Sequence, residues 1–128
     1  MTNNFKEKTK YIISCLDGYH QLCKMFHWSA KNNHEHELTD EIDGSILSYQ
    51  DKIAEDCMGA LGIRFGLGDL SAQLSQSKSV KDMLDELEKD VIEYKECIGD
   101  NKNLSSMDSI TDAFLEDIHR WKYLSTFN

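Results

Sequence analysis

From His36 to about Gly62 the apolar residues recur at the spacing of an α-helix: Leu38, Ile42, Ile46, Tyr49, Ile53, Cys57 and Leu61. Turned at about 100° per residue with His36 at zero, Leu38, Ile42, Ile46, Tyr49 and Ile53 fall between about 200° and 280°. That is one apolar stripe, and it must face the chain's own core. On the same wheel His36, Asp40, Asp51 and Glu55 fall at about 0°, 40°, 60° and 100°. These four polar residues share a face that points away from the core.

Axial spacing adds a second constraint. His36 and Asp40 are one turn apart and can share an ion, as can Asp51 and Glu55. Asp40 and Asp51, however, are separated by roughly 16 Å at about 1.5 Å rise per residue. Metal bonds to His nitrogen or carboxylate oxygen are only about 2.0–2.2 Å long, so one helix cannot bring both pairs to one ion. A second copy of the helix, antiparallel across a two-fold axis, can do so. His36 and Asp40 of one chain then meet Asp51 and Glu55 of the other, and the isologous contact makes two such sites. Imidazole with carboxylate suits iron or zinc. The competing reading is structural: outer-face acids are usually just solvated, and Glu35, Glu37 and Asp40 suit the positive end of a helix dipole.

These residues resemble the signature of Dps proteins, the mini-ferritins of starved bacteria. The likeness rests on His27-Trp28, His36-x-x-x-Asp40 and Asp51-x-x-Ala54-Glu55, with Glu37 after His36. In that family a His-Trp ends the first helix, and the second carries the two acidic motifs at the separation found here. The link from His27 to His36 is shorter than the family's, with Asn32, Asn33 and His34 where Gly and Phe are usual. The resemblance implies a ferroxidase site at a subunit two-fold. His27, His36 and Asp40 would come from one subunit, and Asp51 and Glu55 from its partner. It further implies Fe(II) oxidation, with hydrogen peroxide as oxidant, for iron storage or protection from oxidative stress. Zinc would be a substitute for iron. The assembly would be a homo-oligomer through antiparallel second helices, a dimer at least and a dodecameric shell at the fullest. Trp28 reads as core or interface packing; the resemblance implies that it would lie close to the iron and be placed to donate an electron.

The rest of the chain reads as one domain, residues 1–128, of ordinary domain size. Forty per cent apolar residues without a single Pro fit an all-α protein. No stretch approaches the roughly 20 apolar residues of a membrane span, and the polar N-terminus is no signal peptide. Cys15, Cys23, Cys57 and Cys97 lie in helical patterns without a C-x-x-C pair. They read as reduced and partly buried, hence cytoplasmic. A net charge of −9 argues against nucleic acid as partner, despite Lys6, Lys8 and Lys10 near the start.

Helix one is expected over about residues 5–29, with Ile12, Leu16, Tyr19, Leu22, Cys23 and Phe26 inward and Gly18 a local weakness. Helix two is expected over 34–65, stopped by Gly66-Leu67-Gly68. Leu70 and Leu74 are expected to pin a short helical turn within 69–78. Ser79 caps helix three, whose stripe is Val80, Met83, Leu84, Leu87, Val91, Tyr94 and Ile98, and Gly99 stops it. Helix four runs from about Asp108 to Leu124, with Ile110, Phe114, Ile118, Trp121 and Leu124 inward. The whole predicts a ferritin-like four-helix bundle, up-down-down-up, with a short crossover between helices two and three.

Glu116-x-x-His119 matches a unit that di-iron bundles carry on two helices. No second unit is present, so His119 is expected as a histidine at the buried edge. The alternative to a ferroxidase is a non-catalytic helical-bundle interaction protein whose second helix docks on another protein.

Overall fold

The computed structural model describes residues 2–127. Four helices form: α1 (Thr2–Ser29), α2 (Asn33–Leu61), α3 (Val80–Ile98) and α4 (Ser105–Leu124), the last entered through a 3-10 turn at Lys102–Leu104. No described helix is long and apolar enough to cross a membrane.

Contacts between helix ends set the directions. Thr9 near the start of α1 shares a 2.7 Å hydrogen bond with Tyr94 near the end of α3. At the opposite ends, the Cys23 thiol donates to Met83 Sδ at 3.7 Å. Ser106 at the start of α4 donates to Asp56 late in α2 at 2.7 Å, and Arg120 late in α4 reaches Glu41 early in α2 at 2.8 Å. So α1 opposes α3 and α2 opposes α4, while α2 and α3 run the same way. The order is up-down-down-up, as expected for a ferritin-like bundle.

The apolar stripes meet inside. Every residue of the α3 stripe from Val80 to Ile98 is buried, as are Leu38, Ile42, Ile46, Tyr49, Ile53 and Cys57 of α2. Phe114 stacks on Tyr49 at 4.1 Å between ring centres and meets Trp121 edge-on. The buried polar side chains among the described residues are Thr9, Ser14, Thr39 and Thr111.

The crossover differs from expectation. α2 stops at Leu61, because Gly62 turns left-handed at φ +65 and its N–H caps the helix on the Met58 carbonyl. Ile63 and Phe65, which prolong the helical pattern in sequence, instead pack partly buried on the core from irregular backbone. Residues 70–78 form no helical turn. This segment runs as irregular backbone along α1, where the Ser71 N–H donates to Ser14 Oγ and the Gln73 N–H to the Ser14 carbonyl. Ser75 and Ser77 then both donate to Glu86 of α3 at 2.7 Å. The connection thus spans 62–79, longer than predicted, which is what lets two parallel helices be joined.

Gly18 makes the crossing possible. A Cβ there would lie 1.8 Å from the Gln73 carbonyl oxygen. Gly18→Ala is therefore expected to destabilise the fold by about 1–3 kcal/mol, overriding the ~1 kcal/mol that Ala offers a helix. A urea titration that finds the variant more stable would mean the crossover does not lie on α1.

The cysteines also part from expectation. Cys15, Cys23 and Cys57 are buried, but Cys97 is exposed. Burial pushes the Cys15 thiol up to about 11 and raises Cys23 and Cys57 as well. Iodoacetamide is expected to alkylate native protein at Cys97 alone near neutral pH, read by peptide mass spectrometry.

Candidate metal centre

The turn between α1 and α2 places the two histidines. Asn32 caps α2, its side-chain oxygen accepting the Glu35 N–H at 2.8 Å. The link is therefore only Ala30–Asn32, and it folds the end of α1 onto the start of α2. His27 Nδ1 lies 2.9 Å from the His36 carbonyl, and His36 Nδ1 lies 3.3 Å from the His27 carbonyl. The two rings stack with centres 3.8 Å apart.

A carbonyl only accepts, so both Nδ1 atoms must carry the proton. In the neutral imidazole the lone pair then sits on Nε2 of each ring. This is how a backbone carbonyl sets a metal-binding imidazole, fixing its tautomer and its orientation together. Thr39, buried beneath, donates to the Glu35 and His36 carbonyls at 2.8 and 3.1 Å.

Asp40 is exposed on the next turn of α2. With His27, Trp28, Thr39, Cys23, Lys24 and Asp43 it lines a pocket of about 130 Å³ between α1 and α2. Trp28 is 70% exposed at its lip, so it is not a core residue. Asp43 was not singled out from the sequence. Its Oδ1 lies 2.5 Å from His20 Nδ1 on α1, and both are half-buried. The signal lay in heptad spacing: Asp43 follows His36 by two turns, and His20 precedes His27 by two turns.

Asp51 and Glu55 are exposed further along the same face of α2. Within one chain they stay remote from the histidines, at the roughly 16 Å between Asp40 and Asp51 that helical rise imposes. Among the described residues no three His, Cys, Asp or Glu side chains of the single chain gather as a metal-holding group.

The other histidines have structural partners. His34 Nε2 donates to the Leu124 carbonyl at 2.8 Å, closing the last turn of α4. His119 is not at a buried edge. Its side chain is 62% exposed, with Nε2 2.7 Å from Glu88 of α3. Ile118 and Trp121 point inward, and one residue of helical turn carries His119 past the edge. Glu116 is exposed as well, so this pair does not enter the bundle core.

The four helices and their directions give a Dps-like, ferritin-like four-helix fold. The solved structure of a point mutant of Dps1 from Mycobacterium smegmatis is similar to it, with a TM-score of 0.68 at 17% sequence identity, over 95% of this chain and 92% of that one. No protein-family model matches the sequence, and no curated protein does.

Removing the cap tests how the histidine pair is held. Asn32→Ala is expected to cost about 1 kcal/mol of stability. The two carbonyl hydrogen bonds should still keep the rings paired, read as ring-current-shifted imidazole protons by NMR. Loss of those shifts would make the cap, and not the carbonyls, the element that orients them.

Proposed function

We propose that the protein is a ferroxidase that binds Fe(II) between two subunits related by a two-fold axis. The observation that carries this reading is the stacked His27–His36 pair, each ring held through Nδ1 by the other's main-chain carbonyl, at one end of a helix face that also bears Asp40, Asp51 and Glu55. His27 and His36 serve as neutral nitrogen ligands and Asp40 as an oxygen ligand from one chain. Asp51 and Glu55 supply carboxylates from the partner. Nitrogen and carboxylate donors together suit ferrous iron, and zinc would compete for the same set.

Iron is the substrate. Each Fe(II) gives up one electron, and hydrogen peroxide takes two, breaking its O–O bond. Hydrolysis of the Fe(III) formed releases protons, and the ferric product collects on acidic surface. The fold's likeness to a Dps protein supports this reading, as does a charge balance that favours cations. Iron storage or protection from peroxide is the role that follows, in a homo-oligomeric assembly in the cytoplasm.

A complementation experiment tests it. Asp51→Ala with Glu55→Ala, and separately His36→Ala with Asp40→Ala, should each abolish rapid iron oxidation while the protein stays helical. When the two inactive variants are dissociated and mixed in equal amounts, mixed dimers hold one complete site and one empty one. About a quarter of the wild-type rate should return, by the symmetry of an isologous contact. Full activity in either variant alone rules out the assigned ligands. A wild-type monomer that ignores Fe(II) would favour the docking-module reading instead.

A further inference from the structure

Glycines inside helices need a reason, since each weakens the helix against Ala. Gly18 has its reason within the chain, in the crossover that passes over it. Gly44 has none there: a Cβ added to it would meet nothing within 4 Å. On the α2 wheel Gly44 falls at about 80°, inside the arc that holds His36, Asp40, Asp51 and Glu55. Leu47 falls at about 20° on the same arc, and it is 38% exposed, a large apolar side chain on a polar face.

The proposed two-chain site fixes how this face would meet its copy. Pairing His36 with Glu55 and Asp40 with Asp51 across antiparallel helices sets one midpoint, between Ser45 and Ile46. That same midpoint sets Leu47 of one copy opposite Gly44 of the other, twice, on either side of the axis. Gly59 is equally open but lies at about 140°, off the arc, where the register gives it no apolar partner. The chain therefore carries a knob and a gap on one face, and the register derived from the polar residues alone brings each onto the other.

We propose that Leu47 of each chain seats in the gap at Gly44 of a second copy, and that this interlock sets the spacing of the paired α2 helices. Helix axes pack at about 8–10 Å depending on the side chains between them, and a Gly at the contact allows the near end of that range. Asp40 and the partner's carboxylates are short, so one ion can be shared only if the helices are close. Gly44 is in this sense a positioning residue for the site. The inference rests on the two-chain reading of the metal centre, but its test needs no metal.

The experiment is light scattering coupled to size exclusion on metal-free full-length protein, across a dilution series. Wild type is expected to self-associate. Gly44→Leu should weaken the association at least about tenfold by overfilling the contact, and Leu47→Gly by a similar factor by emptying it. The exchanged variant, Gly44→Leu with Leu47→Gly, moves the knob to the other helix and should restore association to within about threefold of wild type. Circular dichroism checks the helices, and a Cβ at position 44 meets nothing within 4 Å in its own chain. Undiminished association in Gly44→Leu, no rescue by the exchange, or a wild-type monomer at every concentration would each overturn the interlock. Association that follows the expected pattern in a protein that never oxidises iron would sink the ferroxidase reading and leave the interlock standing.

Discussion

Ile42, Ile46, Ile53 and Cys57 have no exposed surface, and their burial fixes the rotation of α2 about its own axis. Each buried aliphatic side chain of this size contributes on the order of 1.5–3 kcal/mol. Turning the helix far enough to bring Asp40 or Asp51 inward would forfeit several of these at once. It would also bury a carboxylate with no partner, which is costlier still. The outward aim of His36, Asp40, Asp51 and Glu55 is thus a consequence of core packing. Cys23, with no exposed surface on α1, does the same for His27 one turn later.

The parts of the fold that follow from local periodicity were legible in the sequence. The α3 stripe, its Ser79 cap and the two-faced character of α2 are read off spacing alone, and the structure has them as expected. What could not be read depends on contacts between distant residues. The end of α2 turns on Gly62, while Ile63 and Phe65 keep the apolar pattern going and point to the later glycines. The irregular run of 70–78 is tied to α1 because Ser14 accepts hydrogen bonds from the Ser71 and Gln73 N–H groups, and nothing near 70–78 announces that. Gly18 is visible as a weak helix residue, but its purpose is visible only once Gln73 lies on top of it.

Histidines show the same division. His27 and His36 stand out by motif, yet their face-to-face pairing depends on a three-residue link that only geometry can judge. His119 sits between Ile118 and Trp121 in sequence, and at about 100° per residue a single step is enough to carry it from core edge to solvent. His20 and Asp43 form a close pair that bridges two helices. Heptad spacing from His27 and His36 hints at it, but neither residue marks itself as a partner for the other.

The two halves of the proposed site differ in how they are prepared. His27 and His36 are held by main-chain carbonyls of α1 and α2, with Thr39 bracing the same turn from below. Their ring planes are set before any ion arrives, so less entropy remains to be lost on binding. Asp51 and Glu55 are exposed and are not tied in this way. Ordering such side chains costs free energy of the order of a kcal/mol or two each, and in a single chain nothing offsets it. A second copy of α2 changes that balance, because the protein contact and the ion each help to order what the other needs. Metal affinity and self-association would then be linked, each strengthening the other by the same factor. That reciprocity would be a property of the α2 face as a whole, with the apolar contact at its centre and the ligands at its two ends.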